Sequence, residues 1–501
     1  MNLMYHSTRN NNITATASQA ILQGLSPDGG LFVPEAIPQL STPIEELSRM
    51  DYRELAYEVL RLYLTDYTEE EIKVCINKAY DDKFDTPDIA PLKKVGNLYY
   101  LELFHGATIA FKDMALSILP HLLTTAARKN EISDEIVILT ATSGDTGKAA
   151  LAGFAEVKGT KIIVFYPKDG VSSVQEKQML TQRGDNTYVI GILGNFDDAQ
   201  TGVKKIFGDR ELEDRMKKAG YRFSSANSIN IGRLLPQIVY YVHSYVELYR
   251  RNEISVGEKI NFVVPTGNFG NILAAYYAKQ MGLPIAKLIC ASNDNKVLYD
   301  FFETGVYDRN RDFILTISPS MDILISSNLE RLIYHIAGED SNKTMELMKD
   351  LSTLGRYEIT SDMRERLDGF IGGYATVDET MAAIHKVYTE NGYVIDTHTA
   401  VATSVYGKYI ESKIDSSVDD EARTVIVSTA SPYKFAESVL NAVGIESIPK
   451  DDYEQAMLLR DVSGIQIPGA VEEIHLAEIR HDKVCETDKM KAKVEEILKI
   501  I

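Results

Sequence analysis

From about residue 97 onward, short apolar segments alternate with amphipathic segments of helical periodicity, and this alternation constrains the fold more than any other feature. The apolar segments are short enough to be buried strands. They are EIVILT (135–140), KIIVFYP (161–167), TYVIGIL (187–193), NFVVP (261–265), AKLICAS (286–292) and TVIVST (424–429). Strands that alternate with helices in this way form parallel sheets with helices on both faces. The sequence therefore predicts an α/β fold.

The length of 501 residues favours more than one structural unit. Residues 1–95 are predicted to form an N-terminal domain that ends in a proline-containing linker, DTPDIAPL. Residues 96–450 contain the alternating pattern and are predicted to comprise a large and a small α/β subdomain, the small one covering about 130–220. Residues 451–501 are mostly acidic and predicted to be helical, and they contain no motif that indicates a function.

The composition argues against several classes of protein. A formal net charge of −19 disfavours a nucleic-acid partner, because binding a phosphate backbone needs a basic surface. Three distant cysteines without a CxxC pair predict neither disulfides nor a metal cluster, and they are typical of a reducing compartment. No segment approaches the roughly 18 apolar residues that cross a bilayer, and no secretory signal is recognisable. We therefore expect a cytoplasmic protein without a membrane partner, either a monomer or a homodimer.

One lysine stands out in the segment ELFHGATIAFKD (102–113). Lys112 follows an apolar run and a turn, and it precedes the helix-like segment MALSILPHLL. An amine among apolar neighbours at a helix start is a poor solubilising charge. It is well placed to lose its proton and attack a carbonyl group.

Two glycine-rich turns follow predicted strands, at the edge where open α/β sheets bind ligands. TATSGDTGKAA (140–150) lacks the spacing of a Walker P-loop, but Ser143, Thr146 and the backbone N–H groups at a helix start could hold an anion. PTGNFGNI (265–272) is not a dinucleotide fingerprint, and it suits one terminal phosphate. Either turn could also be an ordinary connection between a strand and a helix.

A third strand end, VSTASPYKF (427–435), is crowded with the hydroxyl groups of Ser428, Thr429 and Ser431. By itself this pattern favours a helix N-cap before Pro432. Together, a nucleophilic lysine, a phosphate-binding turn and a hydroxyl at a strand end indicate a pyridoxal 5'-phosphate site. The lysine would bind the aldehyde, the turn would hold the phosphate, and the hydroxyl would meet the pyridine nitrogen.

These segments resemble the threonine synthases. ELFHGATIAFKD, TATSGDTGKAA, SSANSINIGRLLPQ (224–237), PTGNFGN and STASPYKF occur in that order in this family, and the likeness extends to about residue 445. The N-terminal YHSTR and SPDGGLFVP indicate the longer type. The resemblance implies fold type II of the pyridoxal phosphate enzymes, similar to the tryptophan synthase β subunit. It also implies conversion of O-phospho-L-homoserine and water to L-threonine and phosphate.

The resemblance also assigns roles to residues. Lys112 would be the Schiff-base lysine, and Thr429 would meet the pyridine nitrogen. The residues around the cofactor phosphate would be Gly267, Asn268, Phe269 and Asn271. Candidates for binding substrate are Arg233 first, then Ser143, Asp145, Thr146, Lys148 and Asn227, with Lys177 or Gln178 as further possibilities for the phosphate.

Several of these assignments have alternatives. Arg233 could be a surface arginine at a helix start, Asn227 could form an Asx turn, and His105 could be structural rather than close to the cofactor. Asp145 stands where related type II enzymes have an asparagine, so its partner could be a cofactor oxygen or the substrate amine. The family often has HGPT where this chain has HGAT, which removes no chemical group.

Two other functions fit the same motifs. A related phospho-lyase would eliminate phosphate from a phosphorylated hydroxy amino acid and release a keto acid. A ligand-binding protein that has lost catalysis would be expected to have lost the lysine, but Lys112 is present.

Overall fold

The computed structural model describes residues 2–142, 144–171, 173–416 and 422–500. Its strands are β1 (Tyr5–Ser7), β2 (Asn10–Ala15), β3 (Phe32–Pro34), β4 (Leu92–Val95), β5 (Leu98–Glu102), β6 (Glu135–Ala141), β7 (Thr160–Pro167), β8 (Thr187–Leu193), β9 (Tyr221–Ser224), β10 (Ile260–Pro265), β11 (Ile285–Ser292), β12 (Val306–Asp308), β13 (Arg356–Glu358), β14 (Phe370–Tyr374), β15 (Thr424–Ser428) and β16 (Val484–Glu486). All six predicted strands are present, as β6, β7, β8, β10, β11 and β15.

The α-helices are α1 (Ala17–Gln23), α2 (Ile44–Leu47), α3 (Tyr52–Tyr63), α4 (Glu69–Ala79), α5 (Asp113–Leu116), α6 (Leu119–Lys129), α7 (Asp145–Phe154), α8 (Ser173–Leu180), α9 (Phe196–Phe207), α10 (Arg210–Lys218), α11 (Ile231–Arg250), α12 (Gly270–Gln280), α13 (Val297–Thr304), α14 (Leu329–Ile336), α15 (Ser341–Leu354), α16 (Ser361–Glu365), α17 (Val377–Asn391), α18 (Thr397–Ser416), α19 (Ala436–Ala442), α20 (Asp452–Ser463), α21 (Gly469–Leu476) and α22 (Met490–Leu498). Short 3₁₀ helices lie at Pro319–Met321, Pro432–Phe435 and Thr487–Lys489. Within the described ranges, none of these helices is both long enough and apolar enough to span a membrane.

Two parallel sheets form the body of the protein. The larger has the order β14-β11-β10-β15-β5-β4 and is parallel except for the antiparallel edge pair of β4 and β5. The smaller has the order β16-β8-β7-β6-β9 and is parallel throughout. All residues of β10 and nearly all of β7 are buried, as expected of strands covered by helices on both faces. The predicted α/β fold is confirmed.

The N-terminal region packs closely on this body. Its antiparallel sheet has the order β2-β1-β3, and its apolar side chains belong to the same core as those of α6 and α11. Buried hydrogen bonds cross the boundary, such as that from the Tyr67 hydroxyl to the Leu122 carbonyl oxygen at 3.1 Å. β4 lies within the predicted N-terminal domain but pairs with β5 of the larger sheet. The division at residue 95 therefore does not separate two hydrophobic cores.

The C-terminal segment, which the sequence predicts to be helical, contains one short strand in addition to its helices. α20, α21 and α22 are present, but β16 adds a parallel edge strand to the smaller sheet beside β8. β16 has only three residues, which is too short to show a periodic pattern in the sequence. Its conformation depends on the unpaired backbone groups at the edge of β8.

Candidate active site

Lys112 lies at the start of α5, where the two sheets meet. Its side chain is 13% exposed, and its Nζ donates a hydrogen bond to Oδ2 of Asp145 at 3.2 Å. Burial lowers the pKa of the Lys112 amine to about 8, and the charges of Lys434 and Arg233 act in the same direction, while Asp145 opposes them. An amine of this kind is partly neutral near physiological pH, as a nucleophile and proton carrier must be.

Asp145 is the most heavily hydrogen-bonded group of the site. Its Oδ2 also accepts from the Ser320 hydroxyl at 2.5 Å, and its Oδ1 accepts from Gln175 Nε2 at 2.8 Å and from the ammonium of Lys434. Burial alone would raise the pKa of this carboxyl, but the amines of Lys112 and Lys434 hold it well below its usual range. Asp145 is therefore an ionised carboxylate at neutral pH.

The turn after β10 is shaped by close backbone contacts. A β-carbon at Gly267 would lie 2.7 Å from the Ser320 carbonyl oxygen, so only glycine fits. Phe269 has a left-handed backbone with φ of 64° and directly precedes α12. The carbonyl oxygen of Asn268 accepts hydrogen bonds from the backbone N–H and from Nδ2 of Asn328, both at 3.1 Å. This turn presents the backbone N–H groups at the start of α12, which is a favourable place for a phosphate.

Asn271 adds a free donor to this turn. Its Oδ1 accepts hydrogen bonds from the hydroxyls of Tyr240 and Tyr241, both at 2.6 Å. Its Nδ2 is buried and has no partner among the described residues. A buried amide N–H without a partner is costly, and a bound anion would satisfy it.

Thr429 is buried and lies next to the lysine. Its carbonyl oxygen accepts a hydrogen bond from the Phe111 N–H at 2.8 Å, and Ala110 pairs with Ala430. The helix-cap alternative applies to Ser431, whose side chain accepts from the Tyr433 N–H. The helix cap therefore does not involve Thr429, and contact between Thr429 and the cofactor stays a prediction.

Two further predicted residues supply positive charge. Arg233 is 4% exposed, so it is not a surface arginine, and its Nη1 donates to the Ala226 carbonyl oxygen at 2.9 Å while its Nε is buried without a partner among the described residues. Lys148 is equally buried and donates to the Thr108 carbonyl oxygen at 3.0 Å. Burial lowers the pKa of Arg233 to about 10, and burial together with the Lys434 charge lowers that of Lys148 to about 7. Neither forms a salt bridge within the described part of the chain.

The remaining candidates are less closely tied to Lys112. Ser143 lies outside the described residues. Thr146 is half-buried beside Asp145 in the first turn of α7, whereas Asn227 is exposed. Their roles stay predictions.

The two candidates on α8 differ. Lys177 extends to the surface and donates to the His475 carbonyl oxygen at 3.4 Å. Gln178 is buried, with both polar side-chain atoms unpartnered in the described part of the structure.

His105 has partners at both ring nitrogens. Nδ1 lies 2.5 Å from Oδ1 of Asp85, and Nε2 lies 3.1 Å from Oε2 of Glu102. Burial alone would lower the pKa of His105, but these two carboxylates raise it to about 9. These contacts support the structural interpretation of this residue.

Sequence reasoning missed three partners of Asp145, which are Gln175, Ser320 and Lys434. Lys434 is part of the motif STASPYKF, in which the sequence draws attention only to the hydroxyl groups. Gln175 lies three residues before the candidate Gln178 on the same helix. No motif points to Ser320, which is 175 residues from Asp145 in the chain.

The donors present fit pyridoxal phosphate. The candidate groups are a buried amine for the aldehyde, a helix N-terminus with a free amide for the phosphate and a buried threonine for the ring nitrogen. Close contacts connect them, from Gly267 to Ser320, from Ser320 to Asp145 and Lys112, and from Phe111 to Thr429. Fold and site together define a pyridoxal-phosphate-dependent enzyme of fold type II.

Comparison with known proteins agrees with this class. Residues 4–80 match "Threonine synthase N terminus", and residues 85–430 match "Pyridoxal-phosphate dependent enzyme". Threonine synthase of Saccharomyces cerevisiae is 36% identical over 470 residues, which cover 88% of this chain and 89% of the relative. The chain belongs to the threonine synthase family.

Two further proteins are similar to this chain over most of its length. A crystal structure of threonine synthase from Brucella melitensis with bound cofactor has a TM-score of 0.87 and 34% identity, covering 99% of both chains. Human "Threonine synthase-like 1" is 40% identical over 456 residues, which cover 88% of this chain. The matched region spans only 60% of the length of that human protein.

Proposed function

We propose that this enzyme converts O-phospho-L-homoserine and water to L-threonine and phosphate. The observation that carries the proposal is the presence of two buried basic side chains, Arg233 and Lys148, which interact electrostatically with Lys112 and form no salt bridge among the described residues. The similarity to enzymes named threonine synthase supports it.

The proposed reaction requires a second phosphate to be bound in addition to that of the cofactor. Backbone N–H groups at the start of α12 and the amide of Asn271 can hold the cofactor phosphate without a cation. Arg233 and Lys148 then remain for another anion. A planar guanidinium can bind phosphate through two parallel hydrogen bonds, and a lysine adds a point charge. A substrate with its own phosphate ester would use both.

Lys112 has the properties that the proton transfers require. When bound, the cofactor supplies the electron sink that acidifies the Cα and Cβ protons of the substrate. The Lys112 amine, with a pKa near 8, can take up and return protons at these two carbons. Thr429 would offer a neutral hydroxyl to the pyridine nitrogen, and a neutral partner favours elimination and replacement over transamination.

A phospho-lyase that releases a keto acid is the second candidate. It would use the same lysine, the same cofactor turn and the same phosphate-binding cations. The human relative named threonine synthase-like 1 is 40% identical to this chain, compared with 36% for the yeast threonine synthase. This similarity makes product identification the decisive experiment.

The test is NMR analysis of the products after the purified protein is incubated with pyridoxal phosphate and O-phospho-L-homoserine. We expect threonine and inorganic phosphate from the wild-type enzyme and neither from Lys112→Ala. Phosphate with 2-oxobutyrate would support the lyase instead. No turnover by a protein that has bound the cofactor would overturn the proposed substrate.

A further inference from the structure

Lys434 is a buried lysine to which the chemistry above gives no role. It lies in the 3₁₀ helix Pro432–Phe435, and its side chain is 2% exposed. Its ammonium contacts Oδ1 of Asp145, while Lys112 contacts Oδ2 of the same carboxylate. Two amines therefore share one carboxylate, and one of them is the lysine that must act as a nucleophile.

The two ends of this contact belong to different sheets. Asp145 begins α7, which follows β6 of the smaller sheet. Lys434 follows β15 of the larger sheet, and its backbone N–H donates to the Ser431 carbonyl oxygen at 3.0 Å, which fixes it to that strand end. The pair thus links the ends of the two sheets directly beside Lys112.

We infer that Lys434 is a positioning residue, which shares the Asp145 carboxylate with Lys112 and balances its charge. The inference deepens the proposed function, but it concerns the cofactor lysine and does not depend on the identity of the substrate.

Charge balance gives the physical reason. The Lys112, Asp145 and Lys434 group is electrically neutral when Lys434 is charged and the Lys112 nitrogen is not. Without Lys434, the single negative charge of Asp145 would favour a protonated nitrogen at residue 112. The other charged groups that act on Lys112 or lie beside it are Lys148 from α7, Arg233 from α11 and Asp113 from α5.

The alternative is that Lys434 only fills space and neutralises a buried acid. A merely structural role would change the stability of the protein but would not shift the protonation of the lysine–cofactor linkage. If Lys434 and Lys112 share the Asp145 carboxylate, removing the positive charge of Lys434 and removing the negative charge of Asp145 should shift this protonation in opposite directions.

The test is a pH titration of the visible absorbance of the cofactor-bound protein, with no substrate present. We expect Lys434→Met to raise the titration midpoint by about one pH unit or more. Asp145→Asn should lower it, and the double variant should return towards wild type. Lys434→Arg keeps the charge and should titrate close to wild type.

Two further variants serve as controls for this titration. Lys434→Gln keeps a hydrogen-bond donor for Asp145 and covers the case in which methionine disturbs the fold; it should shift the midpoint in the same direction as Lys434→Met. Lys491→Met removes a lysine that contacts Asp209 at 2.6 Å, a pair that includes no site residue, and should titrate as wild type.

The outcomes separate this inference from the proposed function. Wild-type titration in both Lys434→Met and Lys434→Gln would overturn the role of Lys434, whatever the substrate is. Absence of threonine formation would overturn the proposed substrate and leave the titration result standing.

Discussion

Replacing Arg233 with methionine should strongly weaken substrate binding and leave the stability of the substrate-free protein nearly unchanged. Methionine has a similar length and flexibility but no charge. Arg233 is buried, contacts the Ala226 carbonyl oxygen, and has no carboxylate partner within the described ranges. Substituting a residue with a structural role normally lowers the stability of the protein. Substituting a residue that serves only to bind a ligand does not.

The cost of burying this charge follows from its pKa. Burial lowers the pKa of Arg233 to about 10, compared with roughly 12.5 for an exposed arginine. Since one pKa unit corresponds to about 1.4 kcal/mol, the buried charge costs roughly 3.5 kcal/mol. Losing the hydrogen bond to Ala226 costs about 1.5–3 kcal/mol, so the two terms nearly cancel. We expect Arg233→Met to melt at the wild-type temperature or slightly above it.

The loss in substrate binding should be large. Two charge-assisted hydrogen bonds to a phosphate contribute roughly 3 kcal/mol or more, which corresponds to about a 100-fold or greater increase in KM. Steady-state kinetics with O-phospho-L-homoserine and calorimetric titration with inorganic phosphate measure this effect. Arg233→Lys keeps the charge but lacks the planar guanidinium, so its KM and phosphate affinity should lie between those of the wild type and Arg233→Met.

The reasoning would be refuted by one pair of results. If Arg233→Met lowered the melting temperature by several degrees and left KM and phosphate affinity unchanged, Arg233 would be a structural residue. The unpaired Nε would then need another explanation.

Three other substitutions test the site and its surroundings. Gly267→Ala would place a methyl group 2.7 Å from a backbone oxygen, so we expect at least a tenfold loss of cofactor affinity, measured by fluorescence titration with pyridoxal phosphate. His105→Gln should lower the free energy of unfolding by about 1–2 kcal/mol at pH 6, since one partner carboxylate is half-exposed. The raised pKa of His105 means that this stabilisation is present below about pH 6.5 and is lost as the pH rises through 9. Lys148→Met should gain stability relative to wild type mainly below pH 7, and the gain should shrink as the pH rises to about 10.4, where lysine is neutral in the unfolded chain too.

Each of these predictions has a control or a contradicting result. Gly407→Ala has no heavy atom near the new methyl group and should bind the cofactor normally; equal affinity in both glycine variants would remove the steric argument. A loss of turnover in His105→Gln without a loss of stability would point to a catalytic histidine. A stability difference for Lys148→Met that stays constant from pH 6 to 10 would contradict burial of a charged amine.

The strands were predictable from the sequence to within one residue at most ends. β8 occupies the predicted residues 187–193, and β10 begins one residue before the predicted start. A strand buried on both faces is a continuous apolar run, and this pattern is local to the segment. β16 was not predictable, because a three-residue edge strand depends on the neighbour that it pairs with.

The sequence by itself determined the chemistry that is local to one segment, namely the lysine at the start of α5, the glycine turn before α12 and the threonine at the end of β15. Only the tertiary structure decided which groups meet between the sheets. The backbone fold brings Lys434, Ser320 and Gln175 to Asp145, and it buries Arg233 without a carboxylate partner among the described residues. Such contacts depend on how strand ends and helices are juxtaposed across long separations in the chain, and no periodic pattern in the sequence encodes that arrangement.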